Sequence, residues 1–255
     1  YYFSAYVDLL TSGQIEMGDC VDFVVPTGNF GNILAGWYAK RMGLPIRKLI
    51  CASNRNKVLT DFFKKGVYDV KRSLMRSMSP SMDILISSNL ERLIFMMGGA
   101  ELTAKLMAEL KECGKYTAPE CLMEKIRGVF SGYCMGEEET TAEIKATFVS
   151  EGYLIDPHTA VGLGCVKKYR SESGDNTPVV LASTASPYKF SASVLEAIDG
   201  KASELDEFDM VDRLAEISGY EIPASLAALK TKERRFKDVI SKNEQKDYVL
   251  KQLGL

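Results

Sequence analysis

Hydrophobic and polar positions follow two different patterns along residues 1–200. Short, nearly continuous apolar runs, typical of buried parallel strands, occur at 21–25, 46–52, 128–135 and 178–182. Between them, apolar residues recur every three or four positions. This spacing predicts helices over the first residues and at 30–42, 56–65, 90–97, 101–113, 137–151, from 157 onwards, and at 191–198. The alternation predicts an α/β fold with a parallel-sheet core and helices packed on its faces.

The alternation of strands and helices stops in two regions. Residues 81–125 are mostly helical in period, which predicts a helical insertion in the sheet domain. Residues 199–209 are polar, and 224–255 are highly charged with a helical period. We therefore expect an α/β domain over residues 1–200, with its helical insertion at about 81–125, and a helical C-terminal region over residues 201–255.

Composition and charge argue against several classes of function. The 255 residues are 46% hydrophobic, and 32 Lys and Arg against 34 Asp and Glu give a net charge of −2. This balance argues against a nucleic-acid partner, and no run approaches the ~20 apolar residues that cross a membrane. The six cysteines form no CxxC pair and His158 is the only histidine, so we expect no metal site. Free thiols favour the cytoplasm.

Residues 25–36 (VPTGNFGNILAG) have the pattern of an anion-binding loop. A strand ends at Val25, Gly28 and Gly31 bracket a turn, and a helix follows. Glycines let the backbone approach a ligand closely, and the first N–H groups of a helix attract phosphate. The GxxxxGK[ST] and GxGxxG patterns are absent, which favours a small phosphate ester over ATP or NAD. The alternative is a glycine-lined turn that binds nothing.

Four motifs, in order, resemble threonine synthase: PTGNFGN, SPSMDILISSNLER, DPHTAVG and STASPYKF. The resemblance runs from Tyr1 to about Gly200 and implies the fold of the tryptophan synthase β-subunit. It also implies a lyase of threonine biosynthesis, which uses pyridoxal 5'-phosphate to convert O-phospho-L-homoserine and water to L-threonine and phosphate. The cofactor phosphate would be held by five loop residues: Gly28, Asn29, Phe30, Gly31 and Asn32.

The resemblance implies further site residues. The Thr184 hydroxyl would contact the pyridine nitrogen of the cofactor, with Ser183 as a rival and capping of the next turn as the alternative. Candidates for contact with substrate are Asn89, Arg92, His158 and Lys189. For each of the four, a structural role as a surface or helix-terminal residue is the alternative. Many family members have His where this chain has Ser186.

The family's Schiff-base lysine precedes the phosphate loop, and no residue of this chain matches it. Lys237, in RRFKD, resembles the lysine motif locally, but its charged surroundings indicate a surface residue. We therefore expect roughly the C-terminal half of the enzyme, inactive alone and with its oligomeric state open. The alternatives are threonine dehydratase or cysteine synthase, which lack the long SPSMD insertion, and a non-enzymatic relative that keeps the fold.

Overall fold

A parallel sheet forms the core of the first of two compact units. The computed structural model describes residues 1–200, 202 and 205–255, and the units are Tyr1–Gly219 and Tyr220–Leu255. Its strands are β1 Val21–Pro26, β2 Ile46–Ser53, β5 Phe130–Cys134 and β6 Val179–Leu181. The sheet has the order β5-β2-β1-β6, and each neighbouring pair is parallel. The predicted parallel-sheet core is confirmed.

Strand β1 is apolar except for Asp22 because both of its faces are covered. Val21, Phe23 and Val25 belong to one buried cluster, and Val24 belongs to a second, as expected when alternate side chains point to opposite faces. Asp22 is buried within this run. Its carboxylate accepts a hydrogen bond from the Lys48 N–H at 2.9 Å and pairs with Arg47 of β2. These donors compensate the buried charge.

Within the described residues of the first unit there are ten α-helices. They are α1 Tyr2–Thr11, α2 Gly31–Arg41, α3 Val58–Lys65, α4 Leu90–Gly98, α5 Ala100–Cys113, α6 Glu120–Val129, α7 Glu137–Glu151, α8 Pro157–Ser173, α9 Ser191–Asp199 and α10 Glu207–Ser218. Helix α8 begins as its sequence predicts, with Asp156 as N-cap and Pro157 in the first turn. The N–H of His158 donates to the Asp156 carboxylate at 2.8 Å.

The region 81–125 contains the two predicted helices, α4 and α5, together with elements that the sequence pattern missed. Strand β4, Lys115–Thr117, pairs antiparallel with β3, Val67–Asp69, in a second sheet. Three residues are too few to give a period, so neither strand was predicted. Tyr68 and Tyr116 stack across this pair with ring centroids 5.3 Å apart. Helix α6 occupies the start of the predicted strand at 128–135.

The C-terminal part differs from the prediction in two ways. Helix α10 buries Val211 and Leu214 and packs against α9, so the first compact unit extends beyond residue 200 to Gly219. The second unit has only two short α-helices, α11 Ala224–Ala227 and α12 Gln245–Gln252, and neither has a buried residue. The predicted helix is wrong at 231–241, because a charged segment without a buried face gains no stability from packing.

Among the described helices, none is both long and apolar enough to cross a membrane. Lys237, predicted to be a surface lysine, lies in the non-helical part of the second unit, and its side chain is 71% exposed.

Candidate functional site

The loop that joins β1 to α2 lies at the carboxyl end of the sheet and is fixed by Phe30. This residue has φ 63°, a left-handed conformation that is uncommon for an aromatic residue. Its ring is buried between Phe63 and Phe130, with centroids 6.1 and 5.6 Å away. Burial of the ring holds the backbone in this conformation. The adjacent residues Asn29 and Gly31 are exposed to solvent.

The acceptor groups of the loop are occupied by residues 87–89, which precede α4. The Ser87 hydroxyl donates to the Gly28 carbonyl at 2.5 Å. The Ser88 N–H and hydroxyl both donate to the side-chain oxygen of Asn29, at 2.8 and 2.7 Å. The side-chain amide of Asn89 donates to the Asn29 carbonyl at 2.8 Å. Segment 87–89 therefore pins the loop from one side.

The donor groups of the loop are free. Within the residues that the structure describes, no acceptor is found for the backbone N–H groups of 28–32. Residues 31 and 32 begin α2, and the first turn of α2 carries no acidic side chain. Free N–H groups at the positive end of a helix bind anions. The loop thus has the chemistry that a phosphate group requires.

A second segment packs against the loop at Gly28. A Cβ atom at this position would lie 2.2 Å from the Ser81 carbonyl oxygen and 3.2 Å from the Met82 Cα. Only glycine permits this approach of two backbones. Segment 77–83 is fixed in turn by Asp83, whose carboxylate accepts hydrogen bonds from the Asn54 and Asn56 side chains at 2.7 and 2.9 Å.

Thr184 follows β6, the strand that pairs with β1, so it lies at the same edge of the sheet as the loop. A cavity of 850 Å³ is lined by both Thr184 and Asn32, together with residues of α1 and β6. The Ser183 hydroxyl is 3.0 Å from that of Thr159. For the Thr184 hydroxyl, which is exposed, the described part of the chain offers no partner. Ser183 lines the same cavity and is also exposed, but its hydroxyl already has the Thr159 hydroxyl as a partner.

His158 is buried at the start of α8 in a polar cluster. Its Nδ1 lies 3.0 Å from an oxygen of Asp156, and its Nε2 accepts the Ser81 N–H at 3.3 Å. The Asp156 carboxylate also accepts the Thr159 hydroxyl. Burial raises the pKa of Asp156, but hydrogen bonds from His158 and Thr159 outweigh it, and the net pKa is lowered. Both nitrogens of His158 are engaged within the protein, which suits a residue that holds segments together.

The remaining predicted residues lie at the edges of this arrangement. The side-chain oxygen of Asn89 accepts a hydrogen bond from Arg92 at 2.7 Å. Arg92 is thus in contact with the residue whose amide group holds the loop. Lys189 is exposed and lies over the Phe190 ring at 5.6 Å. No hydrogen bond or ion pair joins it to residues 28–32 in the part of the chain that the structure describes.

Sequence reasoning missed the role of Ser87 and Ser88. Their contacts are with residues of the loop that lie 59 positions away in the chain. The run SSN at the start of a helix was the available signal.

Among the described residues, no cluster of three or more His, Cys, Asp or Glu side chains has the arrangement of a metal site.

Comparison with known proteins places these residues in a family context. Residues 159–249 match the family model described as "Threonine synthase, C-terminal". The chain is 43% identical to human threonine synthase-like 1 over 210 residues, covering 81% of this chain and 28% of that protein. It is 34% identical to threonine synthase of Saccharomyces cerevisiae over 253 residues, covering 93% of this chain and 46% of the relative.

Solved structures agree in fold. A threonine synthase from Brucella melitensis, described as bound to PLP, aligns over 92% of this chain and 46% of its own length, with 38% identity and a TM-score of 0.77. The yeast threonine synthase structure aligns over 99% of this chain and 51% of its own, with 30% identity and a TM-score of 0.83. The chain thus spans about half the length of these solved structures.

Proposed function

Because the chain belongs to the threonine synthase family, we propose that it forms the cofactor-phosphate site of an enzyme that uses pyridoxal 5'-phosphate. The observation that carries this proposal is the loop at 28–32. Its acceptors are occupied by segment 87–89, and its donors are free. A phosphate dianion needs donors without competing lone pairs, so these residues fit the phosphate of the cofactor.

The loop and α2 perform a binding role. The backbone N–H groups of Gly28, Asn29, Phe30, Gly31 and Asn32 hold the phosphate oxygens, and the dipole of α2 favours the negative charge. The cofactor, when bound, supplies an electron sink for bonds at the substrate's carbon atoms. Because the loop is pinned from both sides, it binds without rearrangement and sets the position of the ring relative to the sheet.

Thr184 has an orienting role in the proposal. Its hydroxyl lies at the carboxyl end of β6, on the cavity that Asn32 also lines. A hydroxyl can bond the pyridine nitrogen without forcing a proton onto it, since an alcohol is a far weaker acid than a carboxylic acid. The ring then keeps a moderate capacity to accept electrons. Ser183 is already engaged with Thr159, which leaves this role to Thr184.

The proposed substrate is O-phospho-L-homoserine, which reacts with water to give L-threonine and phosphate. The substrate carries its own phosphate and therefore needs a second anion site. Arg92 is exposed, and its guanidinium donates to the same Asn89 that pins the loop. We assign the substrate phosphate to Arg92, with Asn89 orienting the guanidinium. Lys189 is a further exposed cation at the start of α9.

One observation favours a second candidate function. The chain is 43% identical to threonine synthase-like 1 and 34% identical to the yeast threonine synthase. The relative of higher identity is named for its likeness to threonine synthase and not for the reaction itself. The alternative is therefore a protein that binds pyridoxal 5'-phosphate but does not form threonine.

Cofactor titration of the full-length protein tests the proposal. Affinity for pyridoxal 5'-phosphate is compared with affinity for pyridoxal, which lacks the phosphate, and release of phosphate from O-phospho-L-homoserine is measured in parallel. We expect strong preference for the phosphorylated ligand, together with release of phosphate that Arg92→Ala reduces at subsaturating substrate. Preference without release selects the second candidate. Equal affinity for the two ligands contradicts the phosphate site itself.

A further inference from the structure

His158 is the one histidine of the chain, and its hydrogen bonds define its tautomer. The N–H of Ser81 can only donate, and it lies 3.3 Å from Nε2, so Nε2 is an unprotonated acceptor. Nδ1 lies 3.0 Å from the carboxylate of Asp156, which can only accept when ionised. The proton of the neutral imidazole is therefore on Nδ1.

We infer that His158 is a positioning residue, which holds the phosphate loop in place through the backbone of Ser81. This inference rests on the proposed function only in taking the loop as the cofactor-phosphate site. The His158 side chain is 4% exposed and lies 4.8 Å from the Phe190 ring, so it acts through the protein.

The path from His158 to the loop is short. Nε2 fixes the N–H of Ser81, and the carbonyl of the same residue packs against Gly28, where a Cβ atom would lie 2.2 Å from it. Residues 81 and 87 thus contact Gly28 from two directions, one at its Cα and one at its carbonyl. Release of the Ser81 N–H frees one of these two supports.

The same cluster reaches the other end of the proposed site. The Asp156 carboxylate accepts the Thr159 hydroxyl, and that hydroxyl lies 3.0 Å from the Ser183 hydroxyl, next to Thr184. One buried carboxylate is therefore linked through His158 to the phosphate loop and through Thr159 to the segment proposed to contact the ring. This arrangement fixes the distance between the two ends.

The tautomer is directly measurable. Nitrogen NMR of the full-length protein labelled with ¹⁵N-histidine, assigned by the signal lost in His158→Gln, should give a proton-bearing Nδ1 and a bare Nε2. This readout is independent of any ligand. A proton on Nε2, or on both nitrogens at neutral pH, overturns the inference, because neither form accepts the N–H of Ser81.

Two variants separate the two hydrogen bonds. The side-chain oxygen of Gln reaches the position of Nε2, and the side-chain amide of Asn that of Nδ1, so His158→Gln keeps the acceptor for Ser81 and His158→Asn loses it. We expect His158→Asn to bind pyridoxal 5'-phosphate about tenfold more weakly, as for the loss of one buried hydrogen bond. Affinity for pyridoxal should change little, and His158→Gln should largely retain the wild-type preference.

The outcomes distinguish this inference from the proposed function. If the wild-type protein shows no preference for the phosphorylated ligand, the proposed function fails, while the tautomer still decides whether His158 accepts the N–H of Ser81. Equal loss of affinity for both ligands in His158→Asn, or equal behaviour of the Asn and Gln variants, contradicts positioning through Ser81. If the Asn variant does not fold, the wild-type tautomer alone decides.

Discussion

The contact between Gly28 and Ser81 gives the sharpest test of the site. In Gly28→Ala the new methyl group would lie 2.2 Å from the Ser81 carbonyl oxygen, whereas ordinary contacts between such atoms are about 3.5 Å. Gly28 does not have a positive φ, so the backbone accepts alanine and the conflict is purely steric. The two segments must separate by roughly 1 Å.

The energetic consequence has two parts. Forcing a methyl group into a closed contact destabilises a fold by about 1–3 kcal/mol, and we expect a loss of that size in the free energy of unfolding. The displacement also moves the N–H groups that follow Gly28. Affinity for pyridoxal 5'-phosphate should therefore fall by about tenfold or more, the effect of misplacing one strong hydrogen bond.

The matched control is Gly128→Ala. Gly128 lies in α6, and a Cβ atom there would meet no other heavy atom within 4 Å. Alanine is favoured over glycine in a helix by up to about 1 kcal/mol, so this variant should be as stable as the wild type or more so. Urea unfolding followed by circular dichroism gives the stabilities, and cofactor titration gives the affinities. Equal stability and equal affinity of the two variants would refute the close contact at Gly28.

Three further predictions follow from the site and the core. Thr184→Val in the full-length protein should lower turnover at least about tenfold while leaving the melting temperature unchanged; Ser183→Ala is the control, and equal turnover in the two variants would remove Thr184 from the site. The ionised Asp156 carboxylate, whose pKa is lowered in the folded protein, stabilises the fold above pH ~4. The difference in the free energy of unfolding between wild type and Asp156→Asn should therefore shrink as the pH falls below that value in acid-unfolding titrations. A difference that stays constant down to about pH 2 would contradict this linkage. Burial raises the pKa of the Cys51 thiol to about 12, so mass-spectrometric mapping of native protein should find Cys20, which is exposed, alkylated long before Cys51; similar labelling rates would mean that the strand opens readily.

The two central strands of the sheet, β1 and β2, were predictable because they are mostly buried, which requires nearly continuous apolar runs in the sequence. Val21–Pro26 and Ile46–Ser53 match the predicted strands to within a residue at each end. The three-residue strands at 67 and 115 have no such pattern. Residues 231–241 have helical spacing but no buried face, and spacing alone does not stabilise a helix.

The candidate site was predictable only in part. The glycine loop has a local signature, since its strand, turn and helix are consecutive in the chain. The groups that pin it come from residues 81 and 87–89, and that pairing depends on how distant segments pack. The contacts of His158 are a second example. The resemblance to the family suggested contact with a ligand, whereas the two nitrogens of His158 bond to Asp156 and Ser81.

The pinning of the loop also determines which ligands it rejects. The oxygen atoms of Gly28 and Asn29 accept hydrogen bonds from hydroxyl and amide groups of residues 87–89. The Phe30 carbonyl accepts the N–H of Leu34. What remains towards solvent is a surface of hydrogen-bond donors alone. An ammonium group or a hydrated metal ion finds no acceptor there, so a complex of a nucleotide with Mg²⁺ is a poor match for the loop. The loop therefore discriminates by hydrogen-bond polarity, before size or shape has any part in the choice.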